Sequence, residues 1–116
     1  MYIGSMFRRF PLLVLLLTSS AFGGEISGKV ISIADGDTFT LLTTDKQQVK
    51  IRLAEIDAPE SGQPYGTKSK QALSGLVFGK DVRVVVQTID RYGRTVGRPY
   101  VGGIYVSAEM VRMGAA

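Results

Sequence analysis

Hydrophobic residues recur between polar ones along three consecutive, strand-forming stretches of the first half of the chain. The first covers residues 26–33 and ends at Asp35-Gly36, a dipeptide that is typical of tight hairpin turns. The second covers residues 38–43, and a turn then leads to the third, residues 49–53, where the alternation is strict. The pattern therefore predicts three short strands that follow one another through tight turns.

The spacing of the hydrophobic residues changes in the second half. Residues 57–64 contain two prolines and a glycine, which predict a loop. Residues 67–77 place their hydrophobic side chains at helical spacing. A strand made largely of valine follows at 81–88, then a fifth strand from Arg94 to about Val101, and Ser107 begins a final short helix.

Three strands, a helix and two strands are the order of a five-stranded OB barrel, whose faces and loops commonly bind oligonucleotides. We therefore expect a mainly β fold with one helix between strands 3 and 4 and a short C-terminal helix. Pro99 falls inside the predicted fifth strand and removes a hydrogen-bond donor. This proline predicts a local disruption near residues 97–99, which would loosen Arg94.

The beginning of the chain has a different pattern. A basic pair at residues 8–9 precedes an apolar run at 10–17, and small residues then allow cleavage after Ala21 or after Gly23. This order is typical of a secretory signal peptide. The alternative is a membrane anchor, but the run is shorter than the ~20 residues needed to span a bilayer. Export is therefore favoured, either by secretion or to the periplasm, with membrane contact only through an uncleaved signal.

The chain thus divides into a signal peptide, residues 1–23, and one domain, residues 24–116. With 45% hydrophobic and 21% charged residues, the composition is that of a globular protein. Histidine, cysteine and tryptophan are absent, which excludes disulfides, thiolate or imidazole metal sites and every triad that needs histidine. The net charge of +4 falls to +2 without the two leader arginines, so it indicates an anionic partner only weakly.

Three short polar segments carry the candidate chemistry. They are Asp35-Gly36-Asp37-Thr38, then Arg52 with residues 57–60, and finally residues 90–94. Each segment alone is typical of a turn or a solvated loop. Brought to one rim of a barrel, their carboxylates suit a hard cation such as calcium or magnesium, and a third carboxylate can orient or deprotonate water. Two guanidinium groups can bind a phosphate and stabilise the charge that develops on it.

In order and spacing, the three segments resemble the staphylococcal nuclease (thermonuclease) family, and the resemblance runs from about Gly28 to the C-terminus. It implies that Asp37 and Asp57 are carboxylate ligands of calcium and that the carbonyl of Ala58 is a third ligand. Ala58 stands where threonine is common, and a backbone ligand tolerates that change. Asp35 would lie near the metal as an outer-shell carboxylate.

The same resemblance assigns the catalytic and substrate-binding groups. Glu60 would be the general base or would position the attacking water, while Arg52 and Arg94 would bind the scissile phosphate. Arg91 and Tyr92 occupy positions that contact the terminal phosphate of the nucleotide. We interpret Glu55 as a solvated charge at a strand end rather than as a fourth metal ligand.

The function implied is that of a calcium-dependent phosphodiesterase, an endonuclease or exonuclease that hydrolyses DNA and RNA, prefers single strands and leaves 3′-phosphates. We expect a monomer whose partner is the nucleic acid substrate, with no stable protein partner. Family members continue beyond Ala116 with aromatic and basic residues, so we expect a domain that is short at its C-terminus and binds substrate more weakly. The alternatives are a catalytically weak or inactive nucleic-acid-binding OB module and an exported calcium-binding structural domain.

Overall fold

The strands and helices follow the predicted order in the computed structural model, which describes residues 24–116. They are β1 Glu25–Asp35, β2 Thr38–Thr43, β3 Gln48–Leu53, α1 Gly66–Val77, β4 Asp81–Ile89, β5 Thr95–Val101, β6 Ile104–Tyr105 and α2 Val106–Arg112. Only the two-residue β6 was not predicted. The predicted signal peptide lies outside the described residues, and within them no helix is long and apolar enough to cross a membrane.

The sheet closes into a barrel through one parallel pairing. β1 lies between β2 and β4, and its pairings with both are antiparallel, as are the β2–β3 and β4–β5 pairings. β3 and β5 then pair in parallel, with Ile51 opposite Thr95 and Leu53 opposite Gly97. The five strands therefore form the closed barrel expected of an OB fold, and β6 extends β5 as a short hairpin.

Inward-facing residues of the barrel and one face of each helix make the core. Its buried side chains are Val30, Phe39, Leu41, Ile51, Leu53, Leu73, Val77, Val82, Val84, Val106 and Met110. The alternation in β3 is explained by this arrangement, because Ile51 and Leu53 are fully buried while Arg52 between them is not. The end of β3 thus presents Arg52 outside the core.

Helix α1 packs closely on the turn between β1 and β2. A Cβ atom at Gly36 would lie 2.6 Å from the Cβ of Ser69 in α1 and 3.0 Å from the Cβ of Ala58. The backbone φ of Gly36 is not in the left-handed region, so the glycine is needed here for close approach rather than for turn geometry. The predicted hairpin is confirmed, and its glycine brings Asp37 next to the loop that contains Ala58.

The expected disruption at Pro99 is not found, because residues 95–101 form one continuous strand and Pro99 is fully buried. The carbonyl of Gly97 accepts a hydrogen bond from the amide of Ala54, so it faces β3. Alternate residues of a strand face the same side, and the nitrogen of Pro99 therefore points away from β4. On the side of β5 that faces β3, the paired residues end at Gly97. Pro99 lies beyond them, so the sheet loses no hydrogen bond through the missing N–H of the proline.

Candidate active site

The guanidinium group of Arg52 is the centre of the site. Its Nη1 donates to the carbonyl oxygens of Leu53 at 2.6 Å and Ile56 at 2.8 Å. Its Nη2 donates to Oδ1 of Asp57 at 2.5 Å and lies 3.5 Å from Oδ2 of Asp37. Both candidate metal-binding carboxylates therefore lie beside one nitrogen atom, although they come from different turns.

The two carboxylates are held differently. Asp37 is buried, and its oxygens accept hydrogen bonds from the hydroxyl of Thr38 and from the amide of Ala58, each at 3.0 Å. The side chain of Asp57 is 95% exposed, and its one hydrogen bond within residues 24–116 comes from Arg52. Asp37 is thus fixed by its own surroundings, whereas the position of Asp57 depends on the backbone of its turn.

The donor set suits a hard cation. Asp37, Asp57 and the Ala58 carbonyl offer only oxygen atoms, and Ala58 is held beside Asp37 by its amide. No group of three histidine, cysteine, aspartate or glutamate side chains that could hold a metal occurs in residues 24–116. The protein could supply two carboxylates and one carbonyl oxygen to such an ion. The remaining coordination positions would be filled by water and substrate oxygens.

Arg94 is oriented by the turn that precedes β5. Its Nε donates to Oδ2 of Asp90 at 2.7 Å, and its amide donates to Oδ1 at 2.9 Å. The amide of Tyr92 donates to the same Oδ1 at 2.9 Å. Burial alone raises the pKa of Asp90, but the hydrogen bonds from Arg94 and Tyr92 outweigh it, so the pKa lies below its ordinary value. Asp90 therefore stays ionised and fixes Arg94.

A cavity of about 460 Å³ joins these groups at the rim of the barrel. Arg52 and Asp57 line it from the end of β3, and Asp90 and Arg94 line it from the turn before β5. The parallel pairing of β3 with β5 explains this convergence, because it places the two chain segments side by side. The lining thus holds two guanidinium groups together with the carboxylates of Glu55, Asp57 and Asp90, and an anionic ligand would bind there through Arg52 and Arg94.

Glu60 lies on the loop that leads into α1. Its backbone exchanges hydrogen bonds with Gln63, whose amide donates to the Glu60 carbonyl and whose side-chain oxygen accepts from the Glu60 amide, both at 2.8 Å. The side chain of Glu60 is exposed, and its carboxylate accepts no hydrogen bond from another residue of the described region. It is therefore free to bind water or substrate.

Asp35 is tied to the same loop. Its Oδ1 accepts hydrogen bonds from the amide of Ser61 at 3.0 Å and from the Ser61 hydroxyl at 2.9 Å. These bonds anchor the residue after Glu60 to the end of β1. The structure therefore gives Asp35 a defined contact with the loop, and its role near a metal stays a prediction.

Arg91 and Tyr92 lie together at the exposed tip of the turn before β5. Nη2 of Arg91 donates to the hydroxyl of Tyr92 at 3.0 Å, and its guanidinium carbon lies 5.1 Å from the centre of the ring. The guanidinium carbon of Arg94 lies 5.4 Å from the same centre. The ring thus sits beside two cationic groups that face solvent near the cavity.

Sequence reasoning gave no role to two residues that organise the site, Glu55 and Asp90, although Asp90 lies in one of the candidate segments. An aspartate that begins a turn before a glycine is a signal for side-chain hydrogen bonds to the following amides, so the role of Asp90 could have been found. Glu55 was interpreted as a solvated charge, but it accepts hydrogen bonds from Tyr105 and Arg98, which lower its pKa in that order of size. Its partners lie more than 40 residues away, and no local pattern reveals them.

Known proteins resemble this chain over most of its length. Residues 50–116 match the family described as staphylococcal nuclease homologue. An uncharacterized endonuclease of Haemophilus influenzae is 43% identical over 105 residues, which are 90% of this chain and 59% of that protein. A micrococcal nuclease of Shigella flexneri is 44% identical over 87 residues, which are 75% and 49% of the two chains.

An uncharacterized endonuclease of Escherichia coli is 40% identical over 112 residues, covering 96% of this chain and 72% of the relative. The chain spans about half the length of several of the curated relatives it matches. The family match covers more than half of the chain, and it includes Arg52, Asp57, Glu60 and Arg94. On this evidence the chain belongs to the family of staphylococcal nuclease homologues.

Proposed function

We propose that this chain is a calcium-dependent phosphodiesterase that hydrolyses DNA and RNA. The observation that carries the proposal is the cavity that Arg52, Asp57 and Arg94 line together. Two guanidinium groups facing one cavity favour a phosphodiester over a neutral ligand, because both carry a positive charge and N–H groups that can donate to its oxygens. The family membership and the names of the relatives, endonuclease and micrococcal nuclease, support the same activity.

Asp37, Asp57 and the carbonyl of Ala58 would hold the calcium ion. Bound there, calcium would supply positive charge against the phosphate oxygens and make a coordinated water more acidic. Arg52 lies beside both carboxylates, at 3.5 Å from Asp37 and 2.5 Å from Asp57, and partly balances their charge. The guanidinium group can therefore approach a phosphate that is held next to these carboxylates.

Arg52 and Arg94 would both bind the phosphate. Nε of Arg94 is occupied by Asp90, while its two terminal nitrogens donate no hydrogen bond to the part of the chain described here. They are available to a substrate in the cavity, which Arg94 lines together with the end of β3. Negative charge that grows on the equatorial oxygens would meet donors whose orientation is already fixed.

Glu60 would orient the attacking water and accept its proton. Its carboxylate is exposed, whereas its backbone is fixed by Gln63 and by the start of α1. Arg91 and Tyr92 would contact the terminal phosphate. The preference for single strands and the 3′-phosphate products follow from the family resemblance, and the chain would act as a monomer on its nucleic acid substrate.

We further propose that the domain is exported and that residues 1–23 are its signal peptide. The basic, apolar and small residues of this segment support the proposal. Expression of the full chain in a Gram-negative host, followed by fractionation and N-terminal sequencing, tests it. A mature protein that begins after Ala21 or Gly23 and occurs outside the cytoplasm is expected. An unprocessed cytoplasmic protein would refute it.

Hydrolysis of heat-denatured DNA by the purified protein tests the main proposal. Reactions with calcium and with a chelator are compared after circular dichroism has confirmed that the protein is folded. The Glu60→Gln variant, purified in parallel, controls for contaminating nucleases. Calcium-dependent degradation that is lost in the variant is expected, and RNA should be degraded as well.

The chemical nature of the product ends and a failure to cleave DNA each give further information. Product 3′ ends that a terminal transferase extends only after phosphatase treatment, together with 5′ ends that a kinase labels directly, would establish 3′-phosphates. A folded protein that retains single-stranded DNA on a gel but does not cleave it would refute the enzymatic proposal. That result would favour the nucleic-acid-binding OB module instead.

A further inference from the structure

Glu55 adopts a backbone conformation that is rare for its residue type. Its φ is 71°, in the left-handed region that favours glycine. Such a conformation persists where surrounding contacts determine it, and it occurs often at functional sites. Glu55 lies in the turn between the end of β3 and Asp57, so the conformation bears on how Asp57 is placed.

The carboxylate of Glu55 is anchored to the neighbouring strands. Oε1 accepts a hydrogen bond from the hydroxyl of Tyr105 at 2.5 Å, and Oε2 accepts one from Nη2 of Arg98 at 3.2 Å. Arg98 belongs to β5 and Tyr105 to β6, and the ring of Tyr105 stacks on that of Tyr100 with centroids 5.1 Å apart. The anchor therefore belongs to paired strands rather than to another loop.

The opposite side of the same turn is held by Arg52. Its Nη1 donates to the carbonyls of Leu53 and Ile56, the residues that flank Ala54 and Glu55. The amide of Ala54 also donates to the carbonyl of Gly97 at 2.8 Å. The turn is thus fixed from both sides, and Asp57 is the first residue beyond it.

We propose that Glu55, Arg98 and Tyr105 form a positioning cluster that sets the placement of Asp57 and, through the turn, of the Arg52 guanidinium group. The inference rests on the proposed function in one respect, since it takes Asp57 to be a metal ligand. The side chain of Asp57 is 95% exposed, and Arg52 is its one hydrogen-bond partner within residues 24–116. Its placement therefore depends on the backbone that Glu55 anchors. Residues that orient a metal ligand contribute to affinity without touching the ion.

The alternative is that Glu55 and Arg98 form an ordinary surface ion pair that has no effect on the turn. The chain offers a matched control for this alternative. Glu25 pairs with Arg83 at 3.2 Å, the same distance as in the pair of Glu55 with Arg98. The side chains of Glu25 and Glu55 are 51% and 52% exposed. Glu25→Ala therefore removes a similar ion pair from the same barrel, at a position with no contact to the turn.

The experiment compares the wild-type full chain with Glu55→Gly, Tyr105→Phe and Glu25→Ala. Glycine accepts the φ of residue 55 without strain but also frees the backbone. Tyr105→Phe keeps Glu55 and removes one hydrogen bond to its carboxylate, so a change in the same direction in this variant assigns the effect to the anchor. Hydrogen exchange of the Ala54 and Ala58 amides reports the order of the turn and needs no metal. Calorimetric titration with calcium alone reports the placement of the ligands.

The expected result is faster exchange of both amides and a calcium Kd raised about tenfold in Glu55→Gly. Tyr105→Phe should show a smaller change in the same direction, and Glu25→Ala should match the wild type in both measurements. Exchange and Kd values in Glu55→Gly that equal those of Glu25→Ala would overturn the inference. A wild-type chain that binds no calcium would overturn the proposed metal site itself, while the exchange comparison would still decide whether Glu55 anchors the turn.

Discussion

Replacing Gly66 by alanine should displace Glu60 without removing any group of the candidate active site. Gly66 is the first residue of α1 and is buried against the loop that precedes the helix. A Cβ atom at this position would lie 1.9 Å from the carbonyl oxygen of Glu60 and 2.7 Å from its carbonyl carbon. Both are backbone atoms, so a change of side-chain rotamer cannot relieve the clash.

The size of the displacement follows from that distance. Ordinary contact begins near 3.4 Å, so the helix and the Glu60 backbone must separate by about 1.5 Å. Overpacking of this kind costs about 1–3 kcal/mol of unfolding free energy, and the better helix propensity of alanine offsets up to about 1 kcal/mol of it. A misplacement of about 1 Å at a catalytic group can lower the rate about 100-fold. Turnover should therefore fall about 100-fold in a protein that still folds.

Gly75→Ala provides the matched control for this prediction. Gly75 lies in the same helix, is exposed, and has no atom within 4 Å of the Cβ that alanine would add. It should leave kcat unchanged and raise the unfolding free energy by up to about 1 kcal/mol. Steady-state hydrolysis of single-stranded DNA at saturating calcium, together with urea unfolding, measures both quantities for the two variants.

Two results would refute the reasoning. A folded Gly66→Ala protein whose kcat lies within twofold of the wild-type value would show that the position of the Glu60 backbone does not limit the reaction. Equal losses of kcat in Gly66→Ala and Gly75→Ala would assign the effect to α1 in general. Either outcome would refute the claim that close packing at Gly66 places Glu60 for the reaction.

Three further changes test the other assigned groups. Glu60→Gln should cut turnover sharply while nucleotide binding stays nearly unchanged, and an unaltered rate would remove Glu60 as the base. Arg52→Lys should lower both activity and stability, the latter by about 1–3 kcal/mol in unfolding free energy. The three hydrogen bonds to Leu53, Ile56 and Asp57 come from two guanidinium nitrogens, and the single nitrogen of lysine cannot occupy both positions. Full activity would contradict the assignment. Asp90 has a lowered pKa in the folded protein, so its contribution to stability is complete above about pH 5 and is lost as the pH falls below about 3.9. Urea unfolding from pH 7 to pH 3 should accordingly show a smaller loss of stability in Asp90→Asn than in the wild type, and identical losses would refute it.

The order of strands and helices was predictable because local signals specify it. Residues 38–43 are strand-forming, residues 49–53 alternate with the period of a strand, residues 67–77 have the period of a helix, and turn residues separate these segments. The closure of the barrel is not local, since the parallel pairing of β3 with β5 joins residues more than 40 positions apart. It followed from the OB topology, which the element order indicated. Pro99 was misjudged because the side to which its nitrogen points depends on that pairing.

The candidate chemical groups were predictable for a similar reason, whereas the contacts that hold them were not. Residue type and spacing indicate Asp37, Asp57, Glu60 and the two arginines as groups for metal and phosphate chemistry. Their supports are distant backbone atoms and side chains, such as the Ala58 amide that donates to Asp37, 21 residues away. A pattern along the chain carries no signal for such a contact until the fold is known.

These supports also explain why the site can lie on turns and still be ordered. Asp37 is held by the Ala58 amide, Arg94 by Asp90, and the Glu60 loop by Ser61 on one side and Gly66 on the other. Each support reaches the barrel strands or α1, whose packing is part of the core. Asp57 differs, because its side chain is exposed and its backbone is the part that is fixed. Its placement should therefore be the most sensitive to changes outside the cavity, and the turn at Glu55 is where such changes act.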